Sequence, residues 1–355
     1  MSQKINRLSN FELLRLVSMF LIVLHHYGVH GLVDETGTSL QSVGVGMLTS
    51  FGKSGVFLFV LIGSFFLVDK SFDCSRIINI ISSTFFYSFL ILFLGIVFFR
   101  NQITTMQIIR SIFFVPLNYW FVTDYIFLLL IIPFLNLLVK NLSRKNFETL
   151  LVIGLFFLFV FPSFFSSASE YSNIDIFAFL YCVTIYLKKY NICPNWSQGK
   201  LGICMVFLFF GIILSVYVIS LYPNVTKDLS INTLFLTRTN SLLTLLFSLV
   251  CFLFFKGWDL GYNSTINVAS KATLGIYLIH DNPIIRSLLW KAINNQQYHS
   301  LSETIIAGLF FSFLVYTCCL IIELIRIMCL NKVIEKVFLW LIPLDVRSKI
   351  DSRFK

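Results

Sequence analysis

Residues 11–29 read FELLRLVSMFLIVLHHYGV. From Phe11 to Leu24 the run is apolar except for Glu12, Arg15 and Ser18. About 20 mostly apolar residues cross a bilayer core as one helix, so the stretch is expected to span a membrane. A charged side chain at the centre of such a helix costs about 2.5–3.5 kcal/mol by insertion scales, and ionisable groups inside spans are therefore the informative ones. Arg15 and His26 are eleven positions apart. At about 100° and about 1.5 Å per residue, that is three turns plus about 20°, with about 16 Å between them along the axis. Both are expected on one face, lining one cavity, with Ser18, Met19 and Ile22 filling the stripe between. His25 points about 80° away from Arg15. Glu12 lies one turn from Arg15 and is placed to pair with it. Arg15 interrupts the apolar run and no small-residue cleavage site follows Tyr27, so the segment reads as a retained helix rather than a signal peptide. Ser9 with Glu12 three residues on reads as a capping box.

The rest of the chain extends this pattern. Of 355 residues, 57% are hydrophobic and 12% charged, with 41 Phe. Soluble domains carry roughly 25% charged residues, so a soluble enzyme, a disordered chain and a disulfide-stapled domain are all excluded. Ten spans are expected near 11–29, 54–69, 77–99, 118–139, 148–166, 173–188, 201–222, 239–256, 267–290 and 303–329. The ninth is interrupted by Asn282-Pro283, and residues 30–53 are expected as a loop. The fold class is thus an all-α, polytopic membrane protein with no soluble domain. Residues 1–330 form the membrane domain, and 331–355 a basic amphipathic tail on the inner leaflet. The net charge of +10 sits between spans, where it reads as a topology signal and not as a nucleic-acid surface. Lys4, Arg7, Lys70, Arg76, Lys188, Lys256 and the tail lysines place both termini in the cytoplasm. Fewer basic residues, among them Lys53, Arg110, Lys227, Arg238 and Lys291, fall outside. The eight Cys show no ligand spacing, and no metal site is expected.

A fixed cation on the cytoplasmic side suits a phosphate or carboxylate, and a neutral imidazole nearer the outside suits proton abstraction from a hydroxyl. Other polar positions carry two readings each. Asp124, after Trp120-Phe121, either holds a histidine in orientation or caps its helix. His280-Asp281 ends an apolar run as either a second polar lining or an interfacial end. Ser64 would need an adjacent base to act as a nucleophile. Glu323 and Arg326, one turn apart, read as a structural pair.

Three stretches bear a resemblance. Arg15, ten intervening residues and His26 form the first. Gly55-Val56-Phe57-Leu58-Phe59 running to Gly63-Ser64 is the second. Leu274-Gly275-Ile276-Tyr277-Leu278-Ile279-His280 is the third, and Tyr119-Trp120-Phe121 to Tyr125 and Pro133 adds to them. With these the sequence resembles the acyltransferase-3 family of integral membrane O-acyltransferases over about residues 7–330. The second stretch ends Gly63-Ser64, where the family usually has Ser-Gly. The family's basic pair after the second span has only Lys70 and Arg76 as counterparts. The resemblance implies transfer of an acyl group, acetyl in the first instance, from cytoplasmic acyl-CoA to a hydroxyl of a cell-surface or lipid-linked saccharide at the plasma membrane. His26 would be the catalytic base, and Arg15 would act in catalysis and, with Arg76, in donor binding. His25, Trp120, Asp124 and His280 would contact the acceptor. No bound cofactor is expected beyond the acetyl-CoA donor. The expected partners are the lipid bilayer, acyl-CoA and the saccharide. A transporter or flippase of a lipid-linked saccharide is the alternative, because buried charges also mark transport paths.

Overall fold

The computed structural model describes residues 8–33, 39–164, 173–191, 196–221 and 240–354. Lys4, Arg7, Lys227, Arg238 and the ends of the spans expected at 148–166 and 201–222 lie outside the described residues. All regular structure among the described residues is helical: α1 (Ser9–Val29), α2 (Leu40–Thr49), α3 (Gly52–Leu67), α4 (Cys74–Phe99), α5 (Thr105–Phe113), α6 (Trp120–Asn141), α7 (Arg144–Leu155), α8 (Phe161–Phe164), α9 (Asn173–Lys189), α10 (Gln198–Ser220), α11 (Leu242–Gly257), α12 (Ser264–Ala269), α13 (Thr273–His280), α14 (Pro283–Ile293), α15 (Leu301–Cys329), α16 (Asn331–Leu341) and α17 (Leu344–Arg353), with short 3-10 and π turns between some of them.

Among the described residues, seven stretches are long and apolar enough to cross a membrane: Ser9–Val29, Leu40–Leu67, Cys74–Gln102, Trp120–Asn141, Arg144–Ser163, Gln198–Ser220 and Leu301–Cys329. The protein is a multi-pass membrane protein. The other three expected spans take a different form. Asn173–Lys189 has 17 residues and Leu242–Gly257 has 16. The region expected as one span at 267–290 is split into α12, a turn, α13 and α14. The expected loop at 30–53 contains α2, which runs through a bend at Ser50–Phe51 into α3. The tail is two helices docked on α4. The Asp351 carboxylate accepts the Cys74 N–H at 2.8 Å, and Phe354 stacks on Phe72 at 4.3 Å.

The bundle is apolar on its outer surface as well as in its core. Phe207 on α10 is 74% exposed and Phe98 on α4 69%, as expected for side chains that face lipid tails. The protected centre is α1, which packs on α3, α13 and α15. Gly55 permits the α1–α3 approach, because a Cβ there would stand 2.6 Å from the Ser18 carbonyl. Ser9 does not cap α1. The N-cap is Leu8, and the Ser9 Oγ instead accepts the Asn263 N–H at 2.8 Å. Asn10 Nδ2 donates to the Phe255 carbonyl at 2.7 Å. Tertiary partners from the α11–α12 corner thus take over at the entry to α1.

Glu323 and Arg326 on α15 do pair, at 2.6 and 2.8 Å, and Tyr87 on α4 donates to the same carboxylate at 2.5 Å. Gly275 on α13 leaves the room this carboxylate occupies, since a Cβ there would collide with it. The triad therefore ties α4, α13 and α15 together. Removing one partner of a buried pair strands the other charge, so Glu323→Ala is expected to destabilise the protein by about 3–5 kcal/mol. The double change Glu323→Met with Arg326→Leu is expected to cost much less. Thermal unfolding of both variants in lipid nanodiscs checks this.

Candidate active site

The site begins with a broken helix. Proline has no N–H and disfavours helical backbone in the residue before it. Asn282, ahead of Pro283, accordingly sits at φ −58°, ψ 132°, ending α13 and starting α14. Its Oδ1 accepts the Ile284 N–H at 2.9 Å, and its Nδ2 donates to the Tyr119 hydroxyl at 2.7 Å. The Tyr119 hydroxyl in turn donates to the Leu278 carbonyl at 3.1 Å. The corner is thereby fixed, and it directs His280 and Asp281 at the end of α1.

The hydrogen-bond partners set the histidine tautomers. His280 Nδ1 lies 2.6 Å from the Ile276 carbonyl. A carbonyl only accepts, so Nδ1 carries the proton and Nε2 the lone pair. His26 Nδ1 lies 2.9 Å from that Nε2 and must donate to it. The lone pair of neutral His26 is therefore on Nε2, the form a general base needs. Asp281 Oδ1 lies 3.7 Å from His26 Nδ1, 3.4 Å from His30 Nε2 and 3.3 Å from Arg286 Nη1. It is placed to stabilise an imidazolium at His26, as an orienting carboxylate does in hydrolytic triads. The ligand atoms of His26, His30 and Asp281 all lie within 4.8 Å of one another. Arg286 already pairs with this carboxylate and Lys53 lines the same cavity, and two cations there oppose a third.

Arg15 and His26 line two adjoining cavities, not one. The His26 cavity, about 180 Å³, also takes in His25, His30, Lys53, Trp120, Asp281 and Arg286. The Arg15 cavity, about 240 Å³, also takes in Gly63, Tyr125, Thr273 and Leu274. Met19, Phe59, Phe121 and Tyr277 belong to both. Helical spacing put Arg15 and His26 on one face correctly. The partition comes mainly from α3, α6 and α13, which a reading of α1 alone does not include.

Arg15 Nη1 is 3.3 Å from both oxygens of Glu12, and its guanidinium stands 5.9 Å over the Phe66 ring. Lys188 and Lys256 gather at the neighbouring Phe65 ring, at 4.7 and 5.8 Å. Arg76 lines neither cavity. It bonds the Ser71 carbonyl at 3.2 Å and stands near enough to act electrostatically on Tyr125 of the Arg15 cavity. His25 is held by its Nδ1 on the Thr49 carbonyl at 2.8 Å. Trp120 receives the Lys53 ammonium over its ring at 4.8 Å. Asp124 lines neither cavity and interacts with Asn173 of α9. His280 is fully buried behind His26, outside the cavity lining. Ser64 is also buried outside both linings. Sequence reasoning missed His30, Lys53, Tyr277 and Arg286. His30 follows His26 by four residues, a same-face spacing that was available as a signal.

The family model for the acyltransferase-3 domain, described as an acyltransferase domain, matches residues 8–324. The chain belongs to this family. No curated protein and no solved structure matches it. The family match covers all the residues that line the two cavities, and acyl transfer gives a role to a histidine base beside a cavity with a fixed cation. If His280 holds the His26 tautomer, His280→Phe is expected to lower acyl transfer about 10²-fold through misplacement of the base. His280→Gln, whose amide oxygen can accept from His26 Nδ1, is expected to recover part of it, and initial rates in nanodiscs compare the two.

Proposed function

We propose that the protein transfers an acetyl group from acyl-CoA to a saccharide hydroxyl at the plasma membrane. The observation that carries this is the pair of cavities end to end along α1, one with a fixed cation and one with a histidine base, sharing a four-residue wall. In this reading the donor occupies the Arg15 side. Arg15, Lys188, Lys256 and, further out, Arg76 supply positive charge for its phosphates, and Phe65 and Phe66 supply faces for its apolar parts. The positive-inside bias puts this end, and both termini, in the cytoplasm.

The acceptor occupies the His26 side. Trp120 offers an amphipathic face there, and Lys53 and Arg286 offer donors. Arg286 also lines a neighbouring polar cavity of about 350 Å³ with Thr104, Gln107, Arg110 and Asn118. This would extend the acceptor site beyond one sugar. His26 Nε2 takes the proton of the acceptor hydroxyl, whose oxygen attacks the thioester carbon. The imidazolium formed is stabilised by Asp281 and returns the proton to the departing thiolate. A neutral base is required, so activity is expected to fall as the pH drops and His26 protonates.

Inside-out vesicles loaded with glycan acceptor and supplied from outside with labelled acetyl-CoA test the proposal. The product is expected to carry an alkali-labile ester, which a transporter or flippase would not form. His26→Ala is expected to lower transfer by about 10²–10⁴-fold. Arg15→Lys replaces a planar fork with a point charge and is expected to raise the KM for the donor more than it lowers kcat. Label transfer by His26→Ala at the parent rate would overturn the assignment.

A further inference from the structure

Tyr277 stands in the wall that the two cavities share, and it is 3% exposed. Its hydroxyl is buried and makes no hydrogen bond within 3.5 Å. The Asp281 carboxylate and the Phe121 backbone lie at the looser edge of hydrogen-bonding reach, but that carboxylate is already engaged by His30 and Arg286. An unpaired buried hydroxyl is expensive and calls for an explanation. Other buried side-chain atoms lack partners too, among them Ser54, Ser64, Asn267 and Ser312. Among the described residues with such an atom, Tyr277 is the one that lines either the Arg15 or the His26 cavity. Tyr119, whose ring packs 5.9 Å from it, has its own hydroxyl fully engaged.

A donor that passes from the Arg15 cavity toward His26 must place its thioester at this wall. We infer that the Tyr277 hydroxyl donates a hydrogen bond to the thioester carbonyl oxygen and to the oxyanion that forms from it. The inference rests on the acyl transfer proposed above. The acceptor oxygen forms a bond to the carbonyl carbon while its proton passes to His26 Nε2. The carbonyl π pair moves onto oxygen, where Tyr277 stabilises the charge in place of water. Collapse restores the carbonyl, breaks the C–S bond and releases the thiolate, which takes the proton from the imidazolium. Tyr277 keeps its own proton throughout. A preorganised donor of this kind lowers the barrier because its dipole is already oriented when the charge develops.

The full-length protein in nanodiscs, with acetyl-CoA and a glycan acceptor, provides the test. Tyr277→Phe removes one unpaired oxygen and keeps the ring. It is expected to lower kcat by about 10²–10³-fold, to leave the KM for acetyl-CoA within about twofold of the parent, and to leave the unfolding midpoint unchanged or raised. Tyr119→Phe, which deletes an engaged hydroxyl, is expected to lower that midpoint. Parental kcat in Tyr277→Phe, or a fall in its unfolding midpoint that accounts for the lost activity, overturns the inference alone. Absence of transfer by the parent protein overturns the functional reading and this inference with it.

Discussion

One hydrogen bond joins the two halves of the site. His26 and His280 are 254 positions apart, yet the tautomer of the first is dictated by the second, and that of the second by a backbone carbonyl of its own helix. The bond needs α13 to end where it does, against the last turns of α1. That ending is a property of Asn282-Pro283 and of the Tyr119 hydroxyl that braces the corner. A continuous helix through this region would keep the next backbone amides paired and carry residues 281 and 282 onward around the axis. Breaking it turns the end of α13 into a rigid shelf for an imidazole and a carboxylate.

The shelf is held from behind by a second polar group. Tyr87, Glu323 and Arg326 form a closed ion pair with a third donor, seated where Gly275 has no side chain. Buried charge gains little net stability, but it tolerates only one arrangement of its partners. Here it sets the relation of α13 to α4 and α15, and hence the approach of Tyr277 to the shared wall. The lipid-facing surface imposes no such order, since exposed Phe, Leu and Ile side chains on α4, α10 and α15 meet tails as apolar as themselves.

The shared wall also separates the two ends chemically. On one side are Arg15, Lys188 and Lys256 beside aromatic rings, and on the other three histidines, Asp281, Lys53 and Arg286. In the proposed reaction, an acyl group carried between the two would be dehydrated on the way, which strengthens every dipole directed at it. In that reading the wall residues matter to the chemistry as much as His26.

Much was legible in residues 11–29 alone. Apolar length made α1 a membrane helix, and helical periodicity placed Arg15, Met19, Ile22 and His26 on one stripe, because both depend only on local geometry. The arginine–histidine spacing, together with two apolar stretches further along the chain, also carried the resemblance to the family. Contact between segments far apart in the chain was not legible. The split of the expected ninth span was signalled by Pro283, but nothing local said that His280 would stand behind His26 while Asp281 and Tyr277 faced the cavities. Asp124 shows the same limit from the other side, since a carboxylate near the end of a span looked ready for the site and turned instead toward Asn173. Sequence by itself determined most of the membrane helices, their lipid-facing apolarity and the register of α1, since these follow from each residue's own chemistry and the helical repeat. The tertiary structure alone decided which polar groups meet, which cavity each one lines and which nitrogen of His26 is free, because those depend on how separate helices pack.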